Sequence, residues 1–540
     1  LVSTEAGAAD VEVTGDVAFQ GYEVASPYGD RVLARRRLLT TLGLAAYNLQ
    51  GDYKPFKPDY SVRLRMRFDG EFGADAAEHD FAVGNTNRFV PGWSNTPVDV
   101  MYGYVEGRNL LDGWLGFRVG RQYMTDVLGW WNFDGGLVKL TTPFYFGVEL
   151  YGGLEQRGGL PLSTNRWESQ GVWRGYGADI EDNREEYPSF QTAAMAPAFG
   201  VAAESLGPNW IHGRFSYRRV YNTGSVFSGQ FPTVGGQGYE QVDGLRISSD
   251  RLGYALSLFL SDVGGVRGGF AYDLYNEVIA KAYGSIDIYA HEKVNVGADV
   301  DFFTPTFDAD SIWNWFTHSP ITTITGRMAV GSFEGFEATL SGGARLWMAD
   351  GDPATYAQQQ CTANNPDPVR VAQCLQFGID PSNGADEDFS RDEANRQTTI
   401  SPDLMGNIGA RYRWSNGYVG ANAMLETGFG DEATNRGNRY GGSLAAKQDI
   451  VGGLFWLGGR VSGYKWTDPT RSDRDAASFG YVVAPEYLPW EYTKFRVEWE
   501  HNMNRLVGHR FRVLGYITLR VDSNLGGGFG STSGYLGNAL

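Results

Sequence analysis

Lysine is scarce in this chain of 540 residues: 8 lysines stand against 38 arginines, and there are 6 histidines and 2 cysteines. The histidines, His79, His212, His291, His318, His501 and His509, are scattered, without an HExxH pair or a Cys/His metal spacing. A GxSxG elbow and a phosphate-binding glycine loop are also missing. No enzyme is expected, although a His-Ser or His-Asp pair assembled from distant segments would leave no local signature. Long apolar runs are lacking too. The longest nearly uncharged one, "LLTTLGLAAY" from Leu38 to Tyr47, falls far short of the ~20 residues that a membrane helix needs. The segment "LVSTEAGAADVEV" has no basic region followed by an apolar core, so any export signal is expected to have been removed or never present. With a net charge of -17, nucleic acid is excluded as the main partner, because phosphates need a dominant basic surface.

What the chain has is glycine, 73 residues of 540, and aromatics at 14%, against a usual ~7% for glycine. That mixture disfavours long helices and suits strands with tight turns. Strict alternation recurs from end to end. "SVRLRMRFDGEF" sets Val62, Leu64, Met66 and Phe68 against Arg63, Arg65 and Arg67, followed by Asp69 and Glu71. "RLGYALSLFLSD", "EKVNVGADVDF", "FEATLSGGARLWM" and "RFRVLGYITLRVD" repeat the pattern. Such segments run to roughly 10–14 residues, whereas soluble strands cluster near five or six and ~9–11 residues cross a bilayer.

The connections alternate between short and long. Short ones are read at 206–210, 247–251, 330–335 and 414–417, and long ones at about 71–96, 155–196, 222–238, 304–319 and 349–400. Tight turns on one side and long loops on the other describe a transmembrane antiparallel β-barrel. A first division gives 23 segments, and the rhythm fails between 262 and 303. Reading about 268–290 as one strand restores it and leaves about 22 strands, within a range of 18–24, spanning about 11–522 as a single all-β domain. Residues 523–540 read as a flexible Gly/Ser-rich tail.

The segment "FRVGRQYMTDVLGWWNFDGGLV" (117–138) resembles outer-membrane porins and alginate-export-type barrels. In that group a strand ending in Gly-Arg-Gln precedes a Phe-Asp-Gly strand start; these are Gly120-Arg121-Gln122 and Phe133-Asp134-Gly135. The resemblance implies a bacterial outer-membrane location and a channel-type role.

In a barrel the polar face must point to the lumen, since Arg at the bilayer midplane costs ~2–4 kcal/mol. Arg63, Arg65 and Arg67 are therefore expected inside, with Arg35 and Arg37 extending the basic wall and Asp69 at its end. Asp287, Asp299 and Asp301 fall on the twelfth and thirteenth strands, nearly opposite, and Arg345, Arg512 and Arg520 complete the predicted pore lining. Two arrangements fit: a transverse field that orients solutes, or local pairing of Arg with Asp/Glu across adjacent strands. Trp130, Trp131, Tyr145 and Tyr492 suit interfacial girdles.

In the longest loop, Cys361 and Cys374 read as a local disulfide closing about 14 residues, worth ~3 kcal/mol in the chain-entropy model; the alternative is two free thiols. No cofactor is expected; Asp350, Asp352, Asp386, Glu387 and Asp388 could hold Ca²⁺ by oxygen ligation but lack a defined loop motif. The expected function is a porin-like channel for hydrophilic solutes such as saccharides or ions. The alternatives are the exit barrel for a surface polysaccharide, fed by periplasmic partners, a plugged structural or receptor barrel, and a soluble all-β hydrolase. Membrane lipid and lipopolysaccharide would surround a barrel of this size, which is expected as a monomer.

Overall fold

The structure is a computed structural model that describes residues 10–25, 31–51, 57–71, 98–156, 196–223, 226–227, 241–242, 244–306, 320–350, 398–429, 437–467, 476–504 and 508–522. Its strands are β1 (Asp10–Ala25), β2 (Arg31–Tyr47), β3 (Asp59–Glu71), β4 (Val98–Asn109), β5 (Leu115–Asp126), β6 (Gly129–Thr141), β7 (Phe146–Glu155), β8 (Ala196–Ser205) and β9 (Ile211–Asn222). A two-residue pair follows, β10 (Val226–Phe227) with β11 (Gln241–Val242). The series continues with β12 (Arg246–Leu260), β13 (Gly264–Asp273), β14 (Val278–His291), β15 (Val294–Phe303), β16 (Ile321–Phe333), β17 (Phe336–Asp350) and β18 (Thr398–Trp414). It ends with β19 (Gly417–Gly428), β20 (Asn438–Asp449), β21 (Phe455–Thr467), β22 (Ala476–Trp490), β23 (Thr493–Asn504) and β24 (Gly508–Asp522). Leaving out β10 and β11, 22 strands form one antiparallel sheet. β9 pairs with β12, and β1 pairs with β24 from Glu12↔Asp522 to Tyr22↔Arg512, which closes the ring.

Closure gives every strand a neighbour on both sides, so the backbone needs no water at the sheet edge. The side chains then sort by parity. Val62 and Phe68 on β3, Leu42 and Leu44 on β2, Leu444 on β20 and Val497 and Trp499 on β23 are all exposed on the outer surface. So many exposed apolar groups, ringing the whole barrel, need hydrocarbon around them. No described helix is long and apolar enough to cross a membrane; the strands do the crossing.

The 22-strand barrel agrees with the sequence expectation, but two boundaries do not. Residues 247–251, read as a turn, lie inside β12, and the single strand read at 268–290 is β13 and β14 joined by a turn at 274–277. The errors cancel in the count. The first arose because Asp250 pairs with Arg219 on the outer face of adjacent β9, so the outer end of β12 is polar. The second arose because 274–277 is a tight turn on the long-loop rim.

One measurement separates the two faces. Leu444→Arg, on the lipid face near the middle of β20, is expected to cost about 2–4 kcal/mol in urea unfolding from lipid vesicles. Ser443→Arg, one residue away on the lumen face, is expected to stay within about 0.5 kcal/mol.

Candidate functional site: the lumen wall and an inward hairpin

The arginine row of β3 stands on the lumen face, and Arg65 and Arg63 meet different partners. Arg65 pairs in register with Gly43 of β2. With no side chain in its way, it reaches past β2 to Asp16 of β1, Nη2 to Oδ2 2.9 Å, and donates to Thr41 Oγ1 at 3.0 Å. A Cβ at Gly43 would fall 2.3 Å from Thr14 Oγ1, so filling this gap in the wall would require the Thr14 hydroxyl to turn away. Arg63 lies over the Tyr47 ring, 5.1 Å from its centroid, a cation–π geometry. Arg67 is buried.

On the far wall, local pairing prevails. Arg327 of β16, which sequence reading missed, bonds Asp287 of β14 and Asp299 of β15, both at 2.6 Å. Arg267 approaches Asp287 at 3.8 Å. The signal was available: Arg327 occupies the polar parity of "ITTITGRMAV", two residues beyond the cross-strand partner of Asp299, Thr325. Asp301 remains exposed on the same face. Arg345 bonds Glu426 at 3.2 Å, and Arg512 pairs with Glu500. Glu486 gathers three cations: Lys447 at 2.8 Å, Arg496 at 2.9 Å and Lys494 at 3.5 Å. A purely transverse field is therefore not what the described charges build; most are neutralised by a neighbour one or two strands away. Arg35, Arg37, Asp69, Asp350 and Arg520 lie on described backbone, but their side chains are outside the described set. Cys361, Cys374, Asp352, Asp386, Glu387 and Asp388 lie outside the described residues altogether.

Between β5 and β9 the wall is built differently. Four successive inward positions of β8, Ala196, Ala198, Gly200 and Ala202, are small and buried, and only the fifth, Glu204, is charged, paired with Lys139 and Arg214. A bare apolar patch of that kind in a wet bore needs a cover, and the β5–β6 hairpin supplies it. β5 pairs with β4 only as far as Gly103↔Arg121, and β6 pairs with β7 only from Phe133↔Glu155 onward. Between those points the hairpin pairs only with itself, to Asp126↔Gly129. It leaves the wall and lies along the inner surface. Trp131 and Phe133 stack at 4.2 Å and pack with Met124, Tyr151, Ala196, Ala198 and Val220 in one buried cluster. Each such large side chain contributes ~1.5–3 kcal/mol on full burial. The tip reaches β12, where a Cβ on Gly253 would meet Val127 Cγ1 at 2.6 Å and Leu128 Cδ2 at 2.9 Å. Beneath it Arg218 is buried, with its guanidinium 5.1 Å from the Trp131 ring centroid and Nη2 donating to the Leu128 carbonyl at 3.4 Å.

The bend is a row of glycines in register, Gly120↔Gly135↔Gly153. Gly120 has φ +130°, a conformation that side chains rarely adopt, and a Cβ on Gly135 would fall 2.1 Å from the Gly152 carbonyl oxygen. Next to that row, Arg121 grips Asp134 with two parallel bonds, Nε–Oδ1 2.8 Å and Nη2–Oδ2 2.9 Å, while its Nη1 donates to the Val100 carbonyl at 2.9 Å. The Gly-Arg-Gln and Phe-Asp-Gly runs are thus the two sides of one hinge. Trp131 belongs to the hairpin's buried face and Trp130 to its other face, which corrects their expected place in an interfacial girdle. Tyr145 and Tyr492 do sit exposed in turns of the short-turn rim.

A closed 22-stranded antiparallel barrel with an apolar exterior and a charged interior defines a membrane-spanning β-barrel of the bacterial outer-membrane type. No family model matches the sequence, and no curated protein matches it. Among solved structures the chain is similar to OccAB4 of Acinetobacter baumannii, at 6% identity and a TM-score of 0.40, covering 96% of this chain and 100% of that one. It is also similar to a BenF-like porin from Pseudomonas fluorescens Pf-5, at 7% identity and a TM-score of 0.38, covering 95% and 98%. A third is OccK3 (OpdO) of Pseudomonas aeruginosa, at 6% and 0.38, covering 95% and 96%. These likenesses are remote.

Gly135→Val should unseat the hairpin at a cost of about 1–3 kcal/mol, as overpacking does. Hydrogen exchange would then rise across 121–134. Gly136→Val, with nothing within 4 Å of its Cβ, should leave exchange there unchanged.

Proposed function

We propose that the protein is an outer-membrane channel that passes hydrophilic solutes, saccharides or ions among them, through the charged lumen. The observation that carries this reading is the hydration of the inward-facing charges. Arg267 keeps 61% of its side-chain exposure and Arg439 55%, although both point away from lipid. Charges in a dry, plugged core would be fully desolvated, at several kcal/mol per ion. Around the ring these groups alternate with carboxylates, so the bore presents polar, nearly balanced walls rather than a field of one sign. Such walls pass neutral polar solutes and select weakly among ions.

Single-channel recording in planar bilayers tests the reading. Stable conductance steps are expected, and a purified, folded protein that inserts without conducting overturns it. The sign of selectivity follows from the Arg65–Asp16 pair. Arg65→Ala leaves the Asp16 carboxylate alone in the lumen and should shift reversal potentials toward cations, whereas Asp16→Asn should shift them toward anions. The measurement belongs at about 0.1 M salt or below, because the screening length shrinks from ~10 Å at 0.1 M to ~3 Å at 1 M.

A further inference from the structure

The free face of the β5–β6 hairpin carries a feature that conduction alone does not call for. Tyr123 and Trp130 stack at 4.6 Å with their planes 13° apart, and they remain 37% and 41% exposed. Because the opposite face of the hairpin packs on the inner wall, these two rings face the bore and not lipid. Tyr123 lies 5.7 Å from Tyr102, which shares the lumen face of β4 with Tyr104, 6.0 Å further on. Tyr102 and Tyr104 pair in register with Arg65 and Arg63. Four rings thus run without a break from the wall onto the hairpin. Flat apolar surface held open to water is costly, and in a solute path it marks a binding face. Two residues from Tyr123 on one strand, and four from Trp130 on the other, the Arg121–Asp134 pair supplies donors and acceptors that neutralise each other. Thr125, opposite Trp130 in the hairpin, adds a hydroxyl.

We propose that Tyr123, Trp130 and Tyr102 form a stacking site for the pyranose ring of a neutral saccharide in transit. A pyranose has the matching amphipathic shape. Its C–H face packs on electron-rich ring faces, and its rim of hydroxyls bonds to Asp134, Arg121 and Thr125. Arg121 is balanced by Asp134, and Arg65, in register with Tyr102, by Asp16, so neither cation is spare to hold an acid, which favours a neutral sugar over an aromatic carboxylate. The hairpin then acts as a shelf: its buried face anchors it to β7–β12, and its free face meets the solute.

This inference rests on the channel reading, and the experiment keeps the two apart. Wild-type channels in planar bilayers are titrated with maltohexaose, and the Tyr123→Ala/Trp130→Ala double variant is titrated alongside. Concentration-dependent current interruptions are expected in the wild type. The double variant, whose packing residues Trp131 and Phe133 are untouched, should conduct and lose affinity about tenfold, the sum expected for two ring contacts. Tyr123→Phe should keep the block. Conducting channels that the sugar never interrupts, an unchanged affinity in the double variant, or block by benzoate in place of maltohexaose would each overturn the shelf. If the wild type does not conduct, the channel reading falls. Calorimetric titration of the detergent-solubilised protein with maltohexaose then decides the shelf: binding that the double variant loses supports it, and no binding overturns it.

Discussion

The pairing of β1 with β24 is the constraint from which the rest follows. A sheet in hydrocarbon cannot leave an edge, because each unsatisfied backbone group there costs several kcal/mol. Closing the ring at 22 strands fixes two faces, and each alternating strand must then place its charges inside. The arginine row of β3 shows this economy: the parity that keeps Val62, Leu64, Met66 and Phe68 in lipid leaves Arg63, Arg65 and Arg67 no other place.

A ring of this circumference encloses more space than its own side chains fill. Two solutions coexist in the described lumen. Around most of the circle, charges bridge neighbouring strands, as Arg327 does for Asp287 and Asp299 or Glu486 for its three cations. From β7 to β12 the wall, with the small inward row of β8 at its centre, is instead covered by a piece of itself. The Arg121–Asp134 clamp and the glycine row make the departure abrupt, so that a strand pair belonging to the wall at one end belongs to the bore at the other.

Much of this was legible in the sequence, because alternation reports burial directly when one face is lipid. The strand count survived two opposite boundary errors. Both fell where the polar outer end of β12 or a tight turn at 274–277 departed from the rule that one rim carries only long loops. Lumen pairings were less legible: parity says that Arg327 and Asp299 point inward, but only the register of β15 with β16 says that they meet. The hairpin was the least legible. Its Gly-Arg-Gln and Phe-Asp-Gly ends were conspicuous, yet alternation continues through Met124 and Trp131 whether the strand stays in the wall or leaves it. What distinguishes the two is the smallness of Ala196, Ala198, Gly200 and Ala202, far away in sequence. Those residues make sense only beside the side chains that fill the space they leave.

The doubled sector also has a mechanical consequence. Resistance of a sheet to bending rises steeply with its thickness, and between β7 and β12 the wall has two layers joined by a buried aromatic cluster. The remaining arc, from β13 round through β24 to β4, is a single layer in the described residues. Under the lateral pressure of a bilayer, a wide ring with one reinforced quadrant yields in its thin arc. The cross-section can flatten there while the hairpin and the strands behind it keep their shape.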